Sequence, residues 1–161
     1  MIDKRILFID DDPSTLKEQA ELILPKLNAM GINAEHDILN VREERFLDQS
    51  RNLDSVKVVD FVSDTYFSTK YAVVACDLSF VGGGEVAGYY LLKKIINKAR
   101  QEHAAIRYAE FVFYSAQTDK LGKEVFEKSE LQKLIRLRIA EIFQRERVFS
   151  GIADFIKKQK K

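Results

Sequence analysis

Three stretches of the chain are apolar without polar alternation, and each runs straight into an acid or a hydroxyl. Ile6-Leu7-Phe8-Ile9 ends in Asp10-Asp11-Asp12-Pro13, Ala72-Val73-Val74-Ala75-Cys76 ends in Asp77, and Phe111-Val112-Phe113-Tyr114 ends in Ser115. Short unbroken apolar runs are the habit of strands buried on both faces, as in a parallel sheet. Such strands present their terminal polar groups at one edge, where open α/β sheets bind ligands. Between the runs the period lengthens. Leu16, Ala20, Ile23, Leu27 and Met30 predict a helix that Pro13 can begin, Ser14 or Asp12 can cap and Gly31 can end, with a kink or break at Pro25. Ile32, Ala34, His36 and Ile38 alternate with polar residues, which predicts a half-exposed strand near the sheet edge.

The middle of the chain is less regular. Residues 40–53 are dense in Arg, Glu and Asp and read as a surface helix or a long loop, whereas Val56, Val59 and Phe61-Val62 predict the buried side of a second helix rather than a strand. Gly82-Gly83-Gly84 reads as a turn over the sheet edge, since neither G-x-x-x-x-G-K-[ST] nor G-x-G-x-x-G is present. Leu92, Ile95-Ile96 and Ala99 predict a helix over Tyr89 to Arg100. After Ser115 only a few residues precede the apolar pair Val125-Phe126, which predicts a shortened crossover into a last strand. Leu131, Leu134-Ile135, Ile139 and Ile142-Phe143 then predict an amphipathic helix. Val148-Phe149, Ile152 and Phe155-Ile156 form a further stripe, which would pack back on the domain, form a dimer or lead into an effector.

Composition narrows the function classes. The chain has 161 residues and is 46% hydrophobic, enough for one domain with its own core. Its net charge of +1 points neither to nucleic acid nor to an acidic tail, although residues 128–161 carry ten Lys/Arg against four Asp/Glu. The terminal lysines read as a solvated end. A lone cysteine, Cys76, fits a reducing compartment and reads as a small buried apolar residue. No apolar run is long enough to span a bilayer and no signal core follows Met1, so a cytoplasmic protein without a membrane partner is expected. His36 has no companion at ligand spacing and is expected to face solvent or a partner group rather than to catalyse.

Strands alternating with helices predict a doubly wound parallel sheet. If the first and third strands are neighbours, Asp10, Asp11 and Asp77 converge. Carboxylates so close repel one another unless a proton or cation intervenes, and a hard divalent ion such as Mg²⁺ suits oxygen ligands. Asp12 reads as a helix cap rather than a ligand.

Ile9-Asp10-Asp11-Asp12-Pro13, Cys76-Asp77-Leu78 followed by glycines and Gly88, Tyr114-Ser115-Ala116, and Phe126-Glu127-Lys128-Ser129 resemble, in that order, the receiver domain of two-component response regulators. The resemblance covers most of residues 4–144. It implies a flavodoxin-like, doubly wound, five-stranded parallel sheet of order 2-1-3-4-5, with a shortened fourth crossover and an insertion around residues 40–55. The receiver-like domain would then span residues 1–144, with a C-terminal helical and basic extension over 145–161. It further implies that Asp77 is the phosphoacceptor and that Mg²⁺ is held by Asp10, Asp11, Asp77 and the backbone carbonyl of Ser79. Ser115, the backbone of Ala116 and Lys128 would bind the phosphoryl group, with Lys120 or Lys123 as alternatives to Lys128. Ser115 and Val125 would carry the switch to the output face.

The partners implied are a histidine kinase or phosphotransfer protein and a downstream protein, with a homodimer through the C-terminal helices open; nucleic acid is not expected. The protein would catalyse only its own phosphorylation and dephosphorylation. Departures from the pattern, such as Ser129 where the family has proline, keep two alternatives open. One is a receiver-like scaffold independent of phosphate. The other is a haloacid-dehalogenase-like phosphatase with Asp10 as nucleophile and Asp12 as acid/base.

Overall fold

The computed structural model of the chain describes residues 2–78, 80, 87–115, 139–144 and 147–159. Its centre is a parallel sheet in which β1 (Ile2–Asp10) lies between β2 (Ile32–Asn40) and β3 (Val73–Asp77), and β4 (Glu110–Ser115) flanks β3. The backbone of β5 (Ile139–Gln144) pairs in parallel with β4. Four helices connect or cover these strands: α1 (Ser14–Ala29), α2 (Ser55–Tyr66), α3 (Ala87–Gln101) and α4 (Val148–Gln159). None of the described helices is long and apolar enough to cross a membrane.

Strand alternation divides the core into two layers. Leu7, Ile9, Val74, Cys76, Phe111 and Phe113 face α2 and α3, while Ile6, Phe8, Val73, Ala75, Val112 and Tyr114 face α1 and α4. Both faces are therefore covered, and this is why the three runs lack alternation. β2 at the edge keeps only Ile32 and Leu39 fully buried, one in each layer, while Ala34, His36 and Ile38 are half-buried, which agrees with the half-exposed edge strand expected there. The α2 helix forms as expected, capped by Asp54, whose carboxylate accepts the amides of Val56 and Lys57. Its buried side is Val58, Val59 and Val62, and Val56 points outward.

Four expectations are corrected. Pro25 does not break α1, which is one helix from Ser14 to Ala29. Neither Asp12 nor Ser14 caps that helix: the capping position is Pro13, and the Asp12 carboxylate accepts the Ser14 hydroxyl instead. The amphipathic helix expected across residues 131–143 is overturned at its end, where Ile139–Gln144 is strand. Consequently the fourth crossover is not shortened, because residues 116–138 separate β4 from β5. The i, i+3, i+4 spacing there also contains a period-two run, Ile135-Arg136-Leu137-Arg138-Ile139, and pairing with β4 selects the strand period for its end.

The last apolar stripe packs back on the domain. Val148, Phe149, Ile152, Ala153 and Ile156 are buried in the α1 layer. Phe149 stacks on Phe8 with centroids 5.3 Å apart, and its amide donates to Gln19 Oε1 of α1 at 2.9 Å. Burial of each of the larger side chains, Val148, Phe149, Ile152 and Ile156, contributes about 1.5–3 kcal/mol. His36 is half-buried and sets its ring edgewise to Phe8 and Phe149, so it is a packing residue of this layer.

Candidate functional site

The register of the sheet assembles the site. Ile9 pairs with Cys76 and Asp77 with Tyr114, so β1, β3 and β4 end together. By alternation Asp10, Asp77 and Tyr114 project from one side of that edge, the side of Phe8, Ala75 and Val112. Asp10 is 0%, Asp77 3% and Asp11 9% exposed, and one carboxylate oxygen from each lies within 4.8 Å of the others. Three hard oxygen donors at this spacing fit a divalent cation with water or phosphate completing its shell. Sequence reasoning placed these three residues together, and the structure does so.

Two hydrogen bonds fix Asp10. Its Oδ1 accepts the Asp12 amide at 2.8 Å, and its Oδ2 accepts the Tyr114 hydroxyl at 2.6 Å. Burial, and then the Asp10 carboxylate, push the Tyr114 phenol well above its usual range, so it stays a donor at neutral pH. Tyr114 was read from the sequence only as the end of an apolar run. The signal for a further role is its chemistry, since a buried tyrosine hydroxyl needs a polar partner.

The end of β3 is pinned by backbone hydrogen bonds. The Leu78 amide donates to the Tyr114 carbonyl, and the Gly88 amide at the start of α3 donates to the Leu78 carbonyl, both at 2.9 Å. A Cβ on Gly88 would stand 1.7 Å from the Asp77 carbonyl oxygen, so only glycine permits this approach. Cys76 is wholly buried, its thiol directed to the Asp77 carbonyl at 3.3 Å. Burial foremost, and then Asp77, Asp10 and Asp11, push that thiol well above its usual range, so it is no nucleophile.

Other predicted residues are placed less fully. Ser115 ends β4, beside Gln144 of β5, and its side chain lies outside the described residues. Ser79, Ala116, Val125, Lys128, Lys120, Lys123 and Gly82-Gly83-Gly84 also lie outside them. The expectation of the last strand at Val125-Phe126 is corrected: the strand beside β4 is β5, which begins at Ile139, and the residues after its end are Arg145, Glu146 and Arg147.

The segment between β2 and α2, expected to be a surface helix or loop, is a loop with a 3₁₀ turn at Glu44–Phe46 and a Leu47–Leu53 bridge. Phe46 anchors it in the α2 layer, with the Arg45 guanidinium over the rings of Phe46 and Phe61. No protein-family model matches the chain, and no curated protein sequence matches it.

Proposed function

We propose that the chain is a phosphorylatable receiver module that takes a phosphoryl group on Asp77. The observation that carries this reading is the burial of Asp10, Asp11 and Asp77 within 4.8 Å at the shared end of β1 and β3. A flavodoxin-like reading of the fold, with β5 as its fifth strand, agrees with the order β2-β1-β3-β4-β5. In the proposed reaction an Asp77 oxygen attacks the phosphorus of a phosphohistidine or small acyl phosphate. The bond from phosphorus to the leaving group breaks, the leaving group takes the electron pair, and an acyl phosphate remains on Asp77.

Asp10, Asp11 and Asp77 would hold Mg²⁺, which when bound offsets the charge on the transferring oxygens. Tyr114 and the Asp12 amide hold Asp10 in place for that task. Ser115 and the backbone after it would meet the phosphoryl group from β4. The cation that the family places after its last strand is sought among Arg145 and Arg147 rather than at Lys128. A histidine kinase or phosphotransfer protein would supply the group, and a second protein would read the result.

The test is intact mass after incubation with Mg²⁺ and a small acyl phosphate, with Asp77→Asn alongside. Wild type should gain one phosphoryl group and Asp77→Asn none. Mg²⁺ binding without any mass gain would overturn the receiver reading and turn attention to a phosphate-independent scaffold or to phosphatase assays with Asp10→Asn.

A further inference from the structure

The loop from β2 to α2 closes over one side of the acidic site. Between them lies a cavity of about 160 Å³, lined by Asp11, by the apolar Val41, Leu47, Leu53 and Phe80, and by Arg42 and Arg51. At the roughly 30 Å³ a water takes in the liquid, it has room for about five water-sized molecules.

The loop is tightly tied, and Arg42 and Arg51 are the cations left over. Asp48 Oδ1 accepts the amides of Ser50 and Asn52 at 2.8 and 3.0 Å, and the Asp48 amide donates to the Asn52 carbonyl at 2.8 Å. This turn holds Arg51 at φ 63°, a conformation a non-glycine residue rarely adopts. Lys57 Nζ donates to the Leu47 carbonyl at 3.0 Å. The local acids are mostly committed elsewhere: Glu43 pairs with Arg45, and Asp48 and Asp54 accept backbone amides. Glu44 does not line the cavity. Among the described residues, the Arg42 and Arg51 guanidiniums have no hydrogen-bond or ion-pair partner. Two unpaired guanidiniums on a fixed loop are suited to a phosphate, which matches their planar donor fork.

We infer that this cavity is an anion subsite: Arg42 and Arg51 take a phosphate group beside Asp11, and the apolar wall accommodates a small organic substituent. The subsite's use for a phosphodonor rests on the receiver reading, whereas its affinity for phosphate does not. With Mg²⁺ present, the ion at the carboxylates offsets the repulsion that Asp11 would exert on the incoming anion. The inference assigns a role to the charged stretch before α2, which the acceptor chemistry leaves unused.

The experiment is a ³¹P NMR titration of inorganic phosphate in the presence of Mg²⁺, comparing wild type with Arg42→Gln/Arg51→Asn. Asparagine is chosen at residue 51 because it tolerates positive φ. Wild type should bind phosphate, and the double variant, with an unchanged melting curve, should bind at least tenfold more weakly. Equal binding by the two proteins, or none by wild type, overturns the subsite. Acyl-phosphate mass assays on the same pair separate the two proposals. Arginine-dependent phosphate binding without any mass gain keeps the subsite and removes the receiver reading. A mass gain with the same donor dependence in both proteins keeps the receiver reading and removes the subsite's use for the donor.

Discussion

The molecule contains two tyrosine–aspartate hydrogen bonds of the same 2.6 Å length, and they do different things. Tyr71, just before β3, donates to Asp37 on the edge strand β2, where Arg5 grips the same carboxylate through Nε at 2.9 Å and Nη2 at 3.2 Å. Asp37 is half-exposed and its counter-charge is supplied by the chain itself. Tyr114 donates to Asp10 at the end of β1, where the carboxylate is fully buried and gathered with two more. One hydroxyl completes a neutralised cluster, and the other orients one of three gathered carboxylates that could hold a cation. The donor is the same; the neighbours decide whether the result is a structural tie or a binding site.

The sharpest way to break this comparison is to neutralise each aspartate. Asp10→Asn should lower Mg²⁺ affinity, followed by calorimetric titration, by at least about tenfold, a loss typical when a site's own or supporting ligands are removed. Asp37→Asn should leave that affinity unchanged and cost about 1 kcal/mol of stability in urea, the scale of a solvent-accessible ion pair. Equal Mg²⁺ binding by wild type and Asp10→Asn would place the cation elsewhere.

Removal of the hydroxyls has the next largest effect. Tyr114→Phe deprives a buried carboxylate oxygen of its donor and should destabilise the fold by about 1–3 kcal/mol, against about 0.5–1.5 kcal/mol for Tyr71→Phe. Paired urea melts of the two variants measure this directly. If Tyr71→Phe proves the more costly, burial is not what distinguishes the two bonds.

The smallest effect is on the acid limb. Burial raises the Asp37 pKa, but the hydrogen bonds from Arg5 and Tyr71 outweigh it and hold the carboxyl below its usual value. A depressed pKa contributes stability above the unfolded value near 4, and that contribution is lost as pH falls through the folded value. The stability gap between wild type and Asp37→Asn should therefore be present at pH 7 and shrink below about pH 4. A gap that stays constant down to pH 3 would remove Asp37 from the acid-sensitive groups.

The central strands and the three clustered acids were legible because burial on both faces leaves an unmistakable record: an apolar run, then a sudden carboxylate. The same physics hid other parts. Tyr114 sits in such a run and looks apolar until its hydroxyl is seen to meet Asp10. Arg42 and Arg51 lie in a stretch whose charges, counted along the sequence, suggest only a solvated surface. Their distinction is that neighbouring acids are occupied by backbone amides and by Arg45, which only the folded loop reveals. The end of β5 was misread because Ile139 and Ile142-Phe143 satisfy a helical spacing as well as a strand, and a partner strand decides between them. α4 was legible as an amphipathic stripe, but which surface it would cover was not, since that depends on Phe8 and α1.

The chain's one cysteine lies midway across the sheet, with no exposed surface and its thiol directed at backbone carbonyls. A thiol reagent can reach it only when the helix layer over β3 lifts or the strand itself parts from its neighbours, so the labelling rate of the native protein counts those openings. Cys76 thus gives the molecule an internal clock, set one residue from Asp77, that reads how often the core beside the clustered carboxylates comes apart.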